Sequence, residues 1–187
     1  MFPFFPSSPP TLQWEVLLNH DPLQKSLISK VYNELLSFDC SPVTKVRAAW
    51  EDELDLNLED DWWDTALKKI YTSSSCARLT LIQFKVLFRV HFSKARLSQI
   101  YPGITDICDK CHASSCNLTH MFYSCPLLSR FWLNYFDTMS KILSVIIKVS
   151  PHVAIFGLPE DHNRFTSTQL DILAFTSLLA RRHLLLH

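Results

Sequence analysis

The chain has 187 residues, 48% of them apolar, and its eighteen Lys and Arg balance its eighteen Asp and Glu. That length buries a core of its own, as one domain or two small ones, and thirteen Phe with five Trp exclude a disordered chain. Gly103 and Gly157 are the only glycines, so the positive-φ positions needed by hairpins, barrels and phosphate-cradling loops are scarce, and helices are expected instead.

The zero net charge hides a segregation. Residues 51–64 carry eight acidic side chains, from Glu51 to Asp64, whereas residues 68–96 carry seven basic ones and no acid. The basic stretch has the charge to track phosphates, although two solvated helix faces would give the same pattern. The N-terminus, Met-Phe-Pro-Phe-Phe-Pro, lacks a secretory signal. Cys40 and Cys76 stand alone in helix-forming surroundings, the pattern of reduced thiols in a cytoplasmic or nuclear protein. No run approaches the ~18 apolar residues that span a bilayer, so no membrane partner is expected.

In chain order, residues 1–20 read as a Pro- and aromatic-rich arm. Asp21-Pro22 starts an amphipathic helix over about 22–38 that carries Leu23, Leu27, Val31 and Leu35. Pro42 opens a shorter helix near 43–53. Asp60 and Asp61 mark the start of the next, through Trp62, Trp63, Leu67 and Ile70, until Ser73-Ser74-Ser75 breaks it. The helix from Cys76 has apolar residues on more than one face and is expected to be central, with Lys85 and Arg89 projecting together four apart. A brief helix over 93–99 leads to the turn Tyr101-Pro102-Gly103. A long apolar stripe follows Pro126, from Leu127 to Ile146. Val153-Ala-Ile-Phe156 reads as a short extended piece, and a last helix begins near Ser167 and is still apolar at the C-terminus, as in a chain cut within a helix. The division is an arm over 1–20, an N-terminal helical region over 21–75, and a helical domain over 76–187.

The strongest motif lies in that last region. Cys108-Asp-Lys-Cys111 is followed by His120 and Cys125, a C-x2-C-x8-H-x4-C spacing. Three thiolates and an imidazole suit one tetrahedral Zn2+, and with all four positions taken such a site staples a fold and leaves no place for a reactive water. Cys116 is a credible substitute for one ligand. His112 follows Cys111 directly and would bite back awkwardly. Phe122 and Tyr123 flank the segment, where they dock it on the helices or stack nucleic-acid bases, docking being the first expectation. The chain lacks G-x-S-x-G, H-E-x-x-H and Walker patterns, and no carboxylate pair sits in an apolar strand as a two-metal site wants. The expected fold is all-α, an irregular multi-helix domain with a zinc-knuckle-like Cys3His loop inserted between helices, and not an enzyme.

The run Phe84-Lys-Val-Leu-Phe-Arg89, the turn Cys108-Asp-Lys-Cys111, the stretch Thr119-His-Met-Phe-Tyr-Ser-Cys-Pro126 and the pair Phe131-Trp132 resemble the C-terminal region of the reverse-transcriptase polyprotein of long interspersed (non-long-terminal-repeat) retrotransposons, particularly vertebrate elements of the fish type. Weaker likeness extends over most of the chain. The resemblance implies a nucleic-acid-binding accessory segment that lies after the polymerase core and handles RNA or single-stranded DNA during target-primed reverse transcription. By position, Cys108, Cys111, His120 and Cys125 correspond to the family's Cys-Cys-His-Cys set, which takes one structural zinc. Lys85, Arg89, Lys94 and Arg96 fall in the basic stretch before it, and Lys110 within the knuckle. The polymerase's aspartate motif and the endonuclease are absent. The implied partners are RNA or single-stranded DNA and the rest of a polyprotein, with no small-molecule substrate. A structural or protein-interaction domain, or a decayed retroelement fragment, is the alternative.

Overall fold

The structure, a computed structural model, describes residues 42–186. The arm expected over 1–20 and the helix expected over 22–38 lie outside the described residues. All regular structure described is helical: α1 (Pro42–Leu54), α2 (Asp60–Thr72), α3 (Ala77–Leu87), α4 (Lys94–Ile100), α5 (Ser129–Leu143) and α6 (Ser167–Leu186). Short π-helical turns at His120–Ser124 and His152–Phe156 and 3-10 turns at Pro126–Leu128 and His162–Arg164 join them. The all-α expectation holds. Among the described residues no helix is long and apolar enough to cross a membrane.

The helices start where chain chemistry favours a start. Pro42 takes the first position of α1, where its missing N–H costs nothing. Asp60 and Asp61 occupy the first turn of α2, at the positive end of the helix dipole. Ser93 caps α4 by accepting the Arg96 N–H at 3.3 Å. The buried residues of α5, Trp132, Phe136, Met139 and Leu143, recur at helical spacing and turn one face inward.

Val46–His187 forms one compact unit, so helices on both sides of residue 75 share a core. In it α2 packs on α3 and α6, and α3 on α6. At its centre Phe156 makes edge-on contacts with Trp50, Trp62 and Trp63, ring centroids 5.2, 5.3 and 6.2 Å apart. Burying each such ring contributes about 1.5–3 kcal/mol or more, with an increment for edge-to-face geometry. The indole N–H groups of Trp50 and Trp62 stay paired, donating to the carbonyls of Leu87 and Pro159 at 2.9 Å each.

One expectation fails here. Val153–Phe156 is not extended; it forms the π-helical turn at the heart of the core, every residue from Val153 to Phe156 fully buried. β-Branched residues favour strands only weakly, and tertiary packing decides. Enclosure needs apolar side chains all round and partners for the freed carbonyls. Arg181 of α6 donates to Ala154 O at 2.7 Å, and Gln83 of α3 donates to Phe156 O at 3.1 Å. Gly157 ends the turn at φ +78°, with α6 so close that an added Cβ would stand 2.8 Å from Ser177 Oγ.

Candidate metal centre

The loop after α4 is held by its own backbone. Cys108 N–H donates to Ala113 O at 2.8 Å and His112 N–H returns to Cys108 O at 3.0 Å, which closes the C-x2-C segment into a tight turn. Cys116 N–H and Ser115 N–H both anchor on Asp106, at 2.9 Å each. Asn117 then starts the second half, its Oδ1 accepting the His120 N–H at 2.8 Å. The turn that follows is π-helical because Cys125 N–H reaches back five residues to His120 O at 3.2 Å. That wide turn sets His120 and Cys125 at its two ends and brings both to the knuckle.

The donor atoms of Cys108, Cys111, His120 and Cys125 all lie within 4.8 Å of one another, and Cys111 Sγ is 3.2 Å from His120 Nε2. A tetrahedron with metal–sulfur bonds of about 2.3 Å has edges of roughly 3.8 Å, so the four residues fit a single ion with small adjustments. The donor types, three sulfurs and one imidazole nitrogen, are those of a closed structural site.

Local electrostatics favour thiolate at Cys108. Burial alone would raise the Cys108 thiol, but the backbone N–H groups of Cys111 and Lys110, with the side chains of His120 and Cys111, bring it down to about 6. Burial pushes Cys125 up, with neighbouring Cys111 and Cys108 adding to the rise and the Leu127 N–H opposing it. A cation at the centre reverses that cost, because it compensates every sulfur at once.

Cys116 is brought up against this group without joining it. It is buried beside Cys108, and is pushed up to about 11 by burial and by that neighbour. Its place beside the set, outside the four mutually close donors, makes it a neighbour of the site. His112 is exposed, at φ +58°. Phe122 is fully buried against His91, centroids 5.7 Å apart, and Tyr123 packs on the core beside Trp132 at 6.4 Å. Both rings dock the loop.

Lys85 and Arg89 do not project together as expected. Helix α3 ends at Leu87, and a Schellman turn follows: Val90 N–H donates to Lys85 O at 2.8 Å and Arg89 N–H to Val86 O at 2.9 Å. Arg89 takes the left-handed position, φ +57°, so the four-residue register with Lys85 is broken. Its guanidinium turns back to Glu53 and lies 4.4 Å from the Trp50 ring centroid. Arg89 is therefore a structural ion-pair partner. Lys94 sits beside the knuckle and pairs with Asp109 at 3.0 Å. Lys110 is half-buried on the knuckle itself, and Arg96 is exposed on α4, its guanidinium 5.2 Å from the ring of Phe92.

Two residues that matter here carry no sequence signal of their own. Glu53 lies in the acidic segment yet reaches Thr119, next to His120. Phe92, 57% exposed, stands in the connection between α3 and α4, where periodicity says nothing. No known family model matches the chain.

Proposed function

We propose that the chain is a non-catalytic helical module, stapled by one structural zinc ion, that holds RNA or single-stranded DNA. The observation that carries the reading is the convergence of Cys108, Cys111, His120 and Cys125, four donors within 4.8 Å of one another. Three sulfurs and one imidazole favour zinc over hard cations, which take oxygen ligands. A zinc ion bound there fastens the knuckle to the turn before α5 and offers no open position, so its chemistry is structural. Lys110 on the fastened loop and Arg96 on α4 supply positive charge near it, with Lys94 paired to Asp109, and such charge favours a phosphate backbone. The likeness to the C-terminal segment of retrotransposon reverse-transcriptase polyproteins supports the same ligand class.

Two measurements test this. Elemental analysis of protein purified without chelators should find about one zinc per chain, since closed thiolate sites bind tightly. Fluorescence anisotropy with labelled oligo-U and oligo-dT should show affinity that falls steeply as salt rises. Zinc without any nucleic-acid binding at low salt would leave a metal-stapled protein-interaction domain. Absence of zinc would overturn the reading altogether.

A further inference from the structure

Helix α4 is a partition between two clefts. On one side Arg89, His91, Ser93, Arg96, Gln99 and Asn117 bound a polar cleft of about 410 Å3. On the other, Phe92, Leu97, Met121 and Leu184 line a mainly apolar cleft of about 410 Å3 that opens beside Cys108 and Cys125. Arg96 and Phe92 straddle the partition, with the guanidinium 5.2 Å from the ring centroid. We propose that α4 seats one nucleotide of a single strand, its phosphate in the polar cleft and its base stacked on Phe92. The proposal rests on the nucleic-acid-binding reading above and specifies where and in what form the strand is held.

The polar cleft calls for an anion. Arg89 Nη1 is buried with no hydrogen-bond partner among the described residues, and Arg89 lines the cleft together with Arg96. An orphaned donor of this kind costs about 1–3 kcal/mol, so a ligand oxygen that satisfies it is favoured. Glu53 also lines the cleft, but its oxygens are already taken, one by Thr119 and the other by Arg89 Nη2. With that pair neutral, Arg96 leaves the cleft one positive charge, the complement of a single phosphodiester. Arg96 uses Nη1 to donate to Arg89 O at 2.8 Å, and a guanidinium has five N–H groups, so donors remain for a phosphate.

The apolar side calls for a flat ring. Phe92 is largely exposed although it lies beside a cleft lined by Leu97 and Met121. A base can stack there only if it is unpaired, and base–aromatic stacking tolerates any sequence. A duplex offers phosphates but no free base face, so the seat discriminates by strand state.

The test uses the full zinc-loaded chain and anisotropy with short labelled oligo-U and oligo-dT. Phe92→Ala and Arg96→Gln should each weaken binding about 5-fold or more, while Phe92→Trp retains it. Arg96→Gln should also flatten the salt dependence by about 0.7 in log–log slope, one phosphate contact on a single strand. Both side chains are exposed, and unchanged zinc content with an unchanged circular dichroism melt verifies the fold. If the wild type binds the oligonucleotides and both variants bind equally well, the seat is wrong and the general reading survives. If the wild type binds a blunt duplex as tightly as the single strands, the seat is also overturned. Displacement by inorganic phosphate with no effect of Phe92→Ala reassigns the cleft to a bare anion. A wild type that binds no oligonucleotide overturns both proposals.

Discussion

Glu53 on α1 receives both the backbone N–H and the hydroxyl of Thr119 on one carboxylate oxygen, at 2.9 and 2.6 Å. The two residues are 66 positions apart, and Thr119 immediately precedes the ligand His120. An acid from the first described helix therefore fixes the start of the turn that carries half the metal set. The second oxygen of Glu53 takes Arg89, so one carboxylate ties together α1, the end of α3 and the Cys/His loop.

A pH dependence follows from this carboxylate. Burial opposes its ionisation, but hydrogen bonds from Thr119 and Arg89 outweigh burial and hold it below the usual Glu value. A depressed carboxyl contributes stability that is present above its unfolded value of about 4.3 and lost as pH falls through the folded one. Urea unfolding should show a falling midpoint as pH drops below about 4. Glu53→Gln should cost about 1–3 kcal/mol at neutral pH, and the variant should lose less on acidification than the wild type.

Zinc content separates the four ligands from their neighbour. Cys111→Ser and Cys125→Ser should each abolish stoichiometric zinc and lower the melting temperature, because metal binding and loop folding are coupled. Cys116→Ser should keep about one zinc per chain, since Cys116 lies outside the four mutually close donors. Elemental analysis of the three variants checks this. Loss of zinc from Cys116→Ser alone would exchange its role with one of the four.

Gly157→Ala should destabilise by about 1–3 kcal/mol. The new Cβ would lie 2.8 Å from Ser177 Oγ and 3.0 Å from Ala174 Cα, at a φ of +78° that disfavours any side chain. Backbone on α6 cannot swing aside as a flexible side chain does. Thermal unfolding by circular dichroism measures the effect.

Arg181 is completely buried, without a carboxylate partner among the described residues, and burial lowers it to about 9. It serves Ala154 O and Gln83 Oε1, while its Nε has no partner among the described residues. Arg181→Met should cost about 1–3 kcal/mol by orphaning those acceptors. Adding Gln83→Leu to it should not recover the loss, because it removes the unpaired Gln83 Oε1 but orphans Phe156 O, which Gln83 serves. A double-mutant cycle by denaturant unfolding reads the coupling.

Helix starts were legible in the chain because they depend on neighbours in sequence. Pro42 and Asp60-Asp61 act on the first turn of their own helices, and the spacing of Trp132, Phe136, Met139 and Leu143 reports one inward face. The Cys/His set was legible too, since a knuckle and a following turn are local. Lys85 and Arg89 were misread because helical register holds only while the helix lasts. α3 ends at Leu87, and Arg89 is turned away by a left-handed backbone and a carboxylate from α1.

By itself the sequence determined the helical class, the places where helices begin and the donor set, each a consequence of residues a few positions apart. Tertiary structure alone decided that Val153–Phe156 coils into a buried turn and that Cys116 stands beside the four donors. It also decided which cations serve the fold and which stay on the surface. Those outcomes depend on contacts between distant segments: Arg181 and Gln83 around the turn, Cys108 against Cys116, Glu53 drawing Arg89 inward. Burial and pairing set the cost of each group, and only the packed chain specifies them.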